Sequence, residues 1–389
     1  MEKIVLNGIT WGHSRGYTPL VAYAQRFAEL NPGVEVIWKK RSLQEFADFP
    51  IEKLTEHYDL LIIDHPWVGC AAALGCVLPL EQYISAEYLR EQRQNSVGQS
   101  HESYFYNGHQ WALAIDAATP VASYRADLLK KHNAKLPETW EEVIALAEQG
   151  KVAVPAIPID LLMNFYMFCI AHGSAPFATD KEVVDADTGL KALESMRSLY
   201  SKVNKKMFGY NPIAVAEVMS STDEYWYCPF AYGYSNYSRG GYARYLLNYT
   251  QPVIFSSGER LRSTIGGTGI AVSAFSKHKE LAVKFAEGIV SPLCQSTFYV
   301  EHGGQPGHLA AWTSTHANQL TNDYFLNTLP AMQTGYLRPR YHGYLHFQDH
   351  AGDTVQRFLM IGGDAIATLS EMNAIYLSSL QKHVSQEPV

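Results

Sequence analysis

Ile265-Gly266-Gly267-Thr268-Gly269-Ile270-Ala271-Val272-Ser273-Ala274-Phe275-Ser276-Lys277-His278-Lys279-Glu280, running on into Leu281–Ala286, decides how this chain is read. A glycine-dense turn leads into an apolar strand over Gly269–Ala274. Ser276 then has the chemistry of an N-cap, and an amphipathic helix follows with Phe285 and Ile289 on one stripe. Glycines at such a turn let a ligand come close to the backbone.

Working outward, the N-terminal part alternates strand and helix signals. Lys3–Trp11 is β-rich, and Gly12–Gly16 is a polar loop. Thr18-Pro19 reads as an N-cap followed by proline at the first helical position. Leu20, Ala24 and Phe27 supply a helical stripe that Asn31-Pro32-Gly33 stops, and Val34, Val36 and Trp38 alternate in a second strand. Ser42-Leu43-Gln44-Glu45 has capping-box spacing for another helix, and Asp59–Asp64 is a short buried strand ending in acid. The result is β-α-β-α-β, the opening of an open α/β sheet with right-handed crossovers.

Further on, Asn107-Gly108 between apolar flanks signals a hairpin. Ala114-Ile115-Asp116, a strand Val121–Tyr124 and a helix Arg125–His132 follow. Thr139 and Glu142 form a second capping box ahead of a helix striped by Trp140, Val143, Ile144 and Ala147. Residues 152 to about 211 are mostly helical, with Leu161–Ile170 apolar and Thr188–Val203 amphipathic. Tyr225–Tyr242 reads as a strand ending near Phe230 and then an aromatic loop. From about Asp323 the chain reads as helices separated by Tyr336–Tyr344.

The order of these motifs resembles the family 1 extracellular solute-binding proteins, the ligand-capturing subunits of ABC importers for sugars and related small solutes. The likeness rests on the 265–286 passage, on Leu78-Pro79-Leu80, on the Asn107-Gly108 hairpin, on Tyr124-Arg125-Ala126-Asp127-Leu128, and on Pro137-Glu138-Thr139-Trp140 with Glu142. It extends from residue 3 to about 375. It implies a two-lobed α/β fold of the periplasmic-binding-protein type (type II), each lobe an α/β sheet, with a ligand cleft between the lobes and hinge closure on the solute. The lobes are expected to be discontinuous: 1–115 with about 272–330, and about 116–271 with 331–389, crossing near 114–120, 266–272 and 330. The implied partners are a small polar solute and ABC permease subunits, and the protein is expected to be a monomer.

Composition narrows the alternatives. With 389 residues, a formal charge of -7 and no basic stripe, the chain is large enough for two domains and unsuited to nucleic acid. No apolar run approaches the roughly 20 residues needed to span a bilayer, so membrane insertion is not expected. Met1-Glu2-Lys3 opens directly into a strand pattern: either a signal peptide has been removed and the protein is periplasmic or extracellular, or Met1 is the native start and it is cytoplasmic. Cys70, Cys76, Cys169, Cys228 and Cys294 have no metal-type spacing and read as buried thiols, which leans towards the second option.

Ligands of open α/β sheets collect beyond the carboxyl ends of the strands, which directs attention to two loops. Trp11, His13, Ser14 and Arg15 precede a helix start, where backbone N–H groups and a guanidinium fork suit a carboxylate or other anion. Asp64, His65 and Trp67 offer a carboxylate, an imidazole and a flat ring for a polyol. Asp116 lies where the chain leaves the first lobe. Gly266, Gly267 and Thr268 would supply N–H groups and a hydroxyl; Tyr225, Trp226 and Tyr232 would supply walls; Gly304, Gln305 and Arg340 lie in later loops. In each case the bland alternative is packing or capping within the fold.

Arg15, Arg262, Arg338 and Arg340 tilt the ligand towards an anion, and 25 Tyr with 7 Trp towards a sugar; a sugar acid satisfies both. No nucleophile elbow, P-loop or dinucleotide fingerprint is present, so a catalytic role is not expected, although His13 with Asp64 or His65 could move a proton in a closed cleft. His342, His346 and His350 recur every four residues, but Gly343 and Gly352 argue against one continuous helix, and neither metal nor cofactor is expected. The competing class is a cytoplasmic protein reusing this scaffold as an enzyme or ligand sensor.

Overall fold

The computed structural model describes residues 3–42 and 51–384. The expected capping box at Ser42–Glu45 lies, beyond Ser42, outside the described residues. The chain divides into two compact units. The first comprises Met1–Ala118, Ile265–Gln333 and Arg340–His342; the second comprises Thr119–Thr264, Thr334–Pro339 and Gly343–Val389. Asp116 and Gly266–Thr268, which the expected boundaries put in the second lobe, therefore lie in the first unit.

The first unit is built on a five-stranded sheet. Its strands are β1 (Ile4–Trp11), β2 (Val34–Arg41), β3 (Leu60–Ile63), β6 (Leu113–Ala118) and β10 (Gly266–Val272), in the order β2-β1-β3-β10-β6. β1 runs parallel to β2 and β3, whereas β10 is antiparallel to both β3 and β6. Leu60-Leu61-Ile62-Ile63 is buried on both faces, which is why a central strand reads as an unbroken apolar run rather than an alternation. The helices Ser14–Leu30 and Lys279–Val290 cover this sheet through Phe27 and Phe285, whose rings meet edge-on at 5.2 Å, and Phe285 lies 6.0 Å from Trp38 of β2. β4 (Phe105–Tyr106) and β5 (His109–Gln110) form the hairpin, with Asn107 and Gly108 both at positive φ as its tight turn requires.

Three expectations give way here. The first helix begins at Ser14 with His13 as its cap, so Thr18-Pro19 is not its start. Pro19 is tolerated in the second turn, where it removes a single backbone donor. The late strand starts at Gly266 rather than Gly269. Ser276 is not the N-cap of the following helix: its hydroxyl donates to Asp59 Oδ1 at 2.6 Å, and His278 occupies the cap.

The second unit centres on a three-stranded antiparallel sheet in the order β8-β7-β9, formed by β7 (Pro120–Tyr124), β8 (Tyr227–Tyr232) and β9 (Asn248–Thr250). The helix Pro158–Ala171 is buried all round, as its apolar sequence requires. Phe168 packs edge-on against Trp140 at 5.1 Å and Phe230 at 5.9 Å. Trp140 is placed by the Thr139–Glu142 capping box, which forms in both directions. The helix Tyr344–Ile361 runs unbroken through Gly352, contrary to expectation. A side chain there would put its Cβ 2.7 Å from the Pro158 carbonyl oxygen, so glycine permits a close helix crossing. His346 and His350 share this helix but His342 precedes it, and among the described residues no group of three His, Cys, Asp or Glu could hold a metal.

Candidate functional site

Sheet topology gathers sequence-distant motifs at one edge of the first unit. The carboxyl ends of β1, β3 and β6 and the amino end of antiparallel β10 all fall on the same side, as the register Gly269 to Ile63 and Gly266 to Ala118 requires. The loops Trp11–Arg15 and Asp64–Trp67, together with Asp116 and Gly266–Thr268, therefore converge there. It is the edge where ligands of open α/β sheets collect.

At the centre of this edge Arg15 and Asp116 pair with one another. The guanidinium forks onto the carboxylate, with Nε to Oδ2 at 2.8 Å and Nη2 to Oδ1 as the second bond, and both side chains are buried. Burial pushes the Asp116 carboxyl upward, and the Arg15 charge and hydrogen bonds oppose that shift. The expected anion-binding fork is thus already committed to a carboxylate of the protein. The other arginines are committed too: Arg340 Nη1 donates to the carbonyls of Glu102, Ser103 and Phe105, Arg338 Nη1 to Gln348 Oε1 at 2.9 Å, and Arg262 Nε to the Thr334 carbonyl.

Several other expected ligand residues serve packing. The indole of Trp11 belongs to the core and lies against Gly16, where a Cβ would come within 2.3 Å of the ring. Trp67 is buried. Gly267, at φ +94°, accommodates a bulge where β10 and β6 slip register: its Cβ would sit 2.3 Å from the Asp116 carbonyl oxygen. Gly304 faces Tyr299 in the same way, and Gln305 is wholly buried, donating to the Ala117 carbonyl at 2.8 Å. In the second unit Tyr225 and Trp226 are buried. His132 stacks on Trp226 at 4.5 Å and the Lys151 ammonium lies 4.9 Å from the indole, so neighbours of its own unit already lie against this ring. Tyr232 is half-buried and its hydroxyl meets Thr264 Oγ1 at 2.8 Å. The strand β8 continues to Tyr232 rather than ending near Phe230, and Tyr234–Ser238, in the expected aromatic ligand-facing loop, is buried.

The polar groups at the first-unit edge are His13, Ser14, Asp64, His65 and Thr268, with Arg41 beside Trp11 at the end of β2. His13 is half-buried; its Nδ1 accepts the Arg15 N–H at 3.0 Å, so a neutral ring carries its proton on Nε2. Burial and the nearby Arg15 charge hold this imidazole down to about 4, which keeps it neutral at pH 7. Ser14 opens the helix. Asp64 is half-buried and accepts the His65 N–H at 2.8 Å, while His65 is fully buried beside it. Thr268 is buried, and among the described residues its hydroxyl has no hydrogen-bond partner.

Sequence reading passed over Asp160, in the first turn of Pro158–Ala171. This carboxyl is 5% exposed and its Oδ2 has no partner among the described residues. The only sequence signal was an acid adjoining the apolar run Leu161–Ile170.

Comparison with known proteins places these units in a wider context. The family model described as bacterial extracellular solute-binding protein matches residues 11–292. The maltotriose-binding protein of Pyrococcus abyssi is 27% identical over 126 residues, covering 32% of this chain and 26% of that protein. The match thus spans about a quarter of that relative's length. Among solved structures, maltose-bound MalE3 of T. maritima aligns with a TM-score of 0.84 at 17% identity, covering 96% of this chain and 99% of its own. A Thermotoga lettingae ABC transporter solute-binding protein bound to α-D-tagatose gives 0.81 at 18%, covering 97% and 100%. One from Agrobacterium radiobacter in complex with ribitol gives 0.80 at 19%, covering 97% and 99%. At these identities the likeness establishes the fold, that of the two-lobed periplasmic binding proteins.

Proposed function

Because this chain belongs to the bacterial extracellular solute-binding protein family, we propose that it reversibly captures a small neutral sugar or polyol and delivers it to an ABC importer. The observation that carries the reading is the convergence of His13, Ser14, Asp64 and Thr268 on one edge of the first unit's sheet, where the Arg15 guanidinium is already paired to Asp116. A carboxylate-bearing ligand would find the Arg15 fork already taken, whereas hydroxyls meet a carboxylate, a neutral imidazole and a threonine hydroxyl. The ligands of the fold relatives, maltose, tagatose and ribitol, belong to the same chemical class.

The proposed role has no chemical step. An imidazole held down to about 4 is a weak base at neutral pH, which disfavours His13 as a proton acceptor. Delivery to an importer goes with an extracytoplasmic location. The five cysteines are free and buried, and burial pushes Cys70 and Cys294 up to about 12, so they are poor thiolates in either compartment. No described helix is long and apolar enough to cross a membrane.

The test is a thermal-shift screen of the full chain against neutral sugars, polyols, sugar acids and amino acids, with each stabilising compound recovered and weighed by mass spectrometry. A ligand at about 100 times its dissociation constant adds about 2.7 kcal/mol. Neutral sugars or polyols are expected to stabilise and to return unchanged. Stabilisation by sugar acids alone would overturn the neutral ligand class, and consumption of the compound would overturn the binding role.

A further inference from the structure

We propose that two copies of this chain associate through the outer edge of β2, the two strands running antiparallel about a twofold axis at Ile37. This departs from the monomer expected from sequence and is independent of which solute is bound.

The argument begins with main-chain groups that the fold leaves open. β2 lies at one end of the first unit's sheet and pairs only with β1. The Gly33 carbonyl accepts the Ile4 N–H at 2.9 Å and the Arg41 carbonyl accepts the Gly12 N–H at 2.7 Å, so the odd-numbered residues of this strand turn their main-chain groups to β1. Val36, Trp38 and Lys40 therefore turn theirs outward, where no other strand of the described residues meets them. A row of unpaired N–H and C=O groups along an eight-residue strand is a template for another strand.

The side chains select a second copy and fix its register. Residues that face one another in an antiparallel ladder turn their main-chain groups the same way, so even-numbered positions face even and odd face odd. With Val36 opposite Trp38 of the second copy, Ile37 meets Ile37 on the axis and Glu35 meets Lys39 on both sides. Ile37 is 41% exposed in the single chain. A slip of two positions in either direction would set it against a charge, Glu35 or Lys39. Both charged groups are available. Glu35 holds the exposed Lys3 through Oε2 at 2.7 Å, which leaves Oε1, and Lys39 has no carboxylate partner among the described residues. Such a contact is isologous, each pair occurring twice.

The helix above the strand adds an apolar contact. Tyr17, whose ring lies 5.3 Å from the Lys40 ammonium, and Val21 one turn later form the side of Ser14–Leu30 turned towards this edge, away from Tyr23, which meets Phe285. Val21 is also 41% exposed, and the same helix of the second copy covers it.

The test is sedimentation equilibrium of the full chain over a range of concentrations, with the thermal midpoint of each variant recorded as a check on folding. The wild type is expected to pass from monomer to dimer as concentration rises. Glu35→Lys and Lys39→Glu each set like charges opposite one another twice and should weaken dimerisation about 10-fold, whereas the double variant Glu35→Lys, Lys39→Glu should restore it. Lys40→Pro deletes an outward N–H, leaves the ladder to β1 intact and should weaken the dimer as well. A wild type that is monomeric at every concentration would overturn the inference. So would a dimer of equal strength in all variants, which would place the contact elsewhere, or a double variant as weak as the single ones, which would remove the antiparallel register.

Discussion

Two buried carboxyls, one in each unit, stand in opposite states. Asp116 is gripped by the fork of Arg15, whereas Asp160 has an oxygen that nothing among the described residues meets. In sequence Asp116 was the more conspicuous, because it sits beside a presumed lobe crossing. In three dimensions its bonding capacity is committed, and Arg15 loses its availability for an anion in the same contact. The pair teaches that a residue's type and position point to a site, while the bonds that the fold has already closed decide whether the residue is still available there.

The sharpest way to break this comparison is to give Asp116 the condition of Asp160. Arg15→Ala leaves a carboxylate buried without its partner and is expected to lower unfolding free energy by about 3–5 kcal/mol, measured by chemical denaturation. The double variant Arg15→Met, Asp116→Leu should recover most of that loss. Equal destabilisation by single and double variants would mean that the pair is not what holds this edge together.

A smaller effect separates crowded from open turns. Gly267→Ala meets both a positive φ and the Asp116 carbonyl, and should cost about 1–3 kcal/mol. Gly241→Ala in the second unit has a similar φ of +82° but open space around it, so it pays conformational strain alone. Equal losses at the two positions would remove the bulge from the account of the β10 edge.

A further test lies in the pH profile, where His13 and Asp160 act with opposite signs. The unfolded His13 takes a proton near 6.5 and the folded one near 4, so its contribution to stability is present above pH 6.5 and falls away towards pH 4. Asp160 is raised, from the ordinary 3.8 to about 8, so the stability it leaves to the protein is greatest below pH 4 and falls as pH rises towards 8. His13→Asn, which keeps an acceptor at the cap, should flatten the acid limb. Asp160→Asn should flatten the limb between pH 4 and 8. An unchanged acid limb in His13→Asn would show that the imidazole is not held neutral by its surroundings.

The β-α-β opening, the Asn107-Gly108 hairpin, the Thr139–Glu142 capping box and the Phe285–Ile289 stripe were legible in the sequence, because each is fixed by residues close along the chain. The role of Trp11 was not legible. A tryptophan beside a glycine-containing loop reads equally as a ligand platform or as a core residue, and only the approach of the ring to Gly16 decides between them. The start of the first helix was misread because the proline signal at Thr18-Pro19 looked stronger than the histidine cap at His13, whose imidazole nitrogen does the work expected of a threonine hydroxyl. Asp160 was passed over because an acid in a first helical turn is ordinarily a solvated helix-dipole residue, and its isolation depends on packing by residues some 40 to 70 positions away.

The antiparallel insertion of β10 between β3 and β6 also bears on how the protein is made. Strands β3 and β6 leave the ribosome more than 140 residues before the strand that joins them, since Ala118 precedes Gly266 with the whole second-unit segment Thr119–Thr264 between. Throughout that interval Leu60–Ile63 has an open strand edge, apolar on both faces, the kind of surface that attracts other chains during synthesis. At about 5–20 residues per second the wait is about 10–30 s, long enough for a holding chaperone to determine the yield of folded protein.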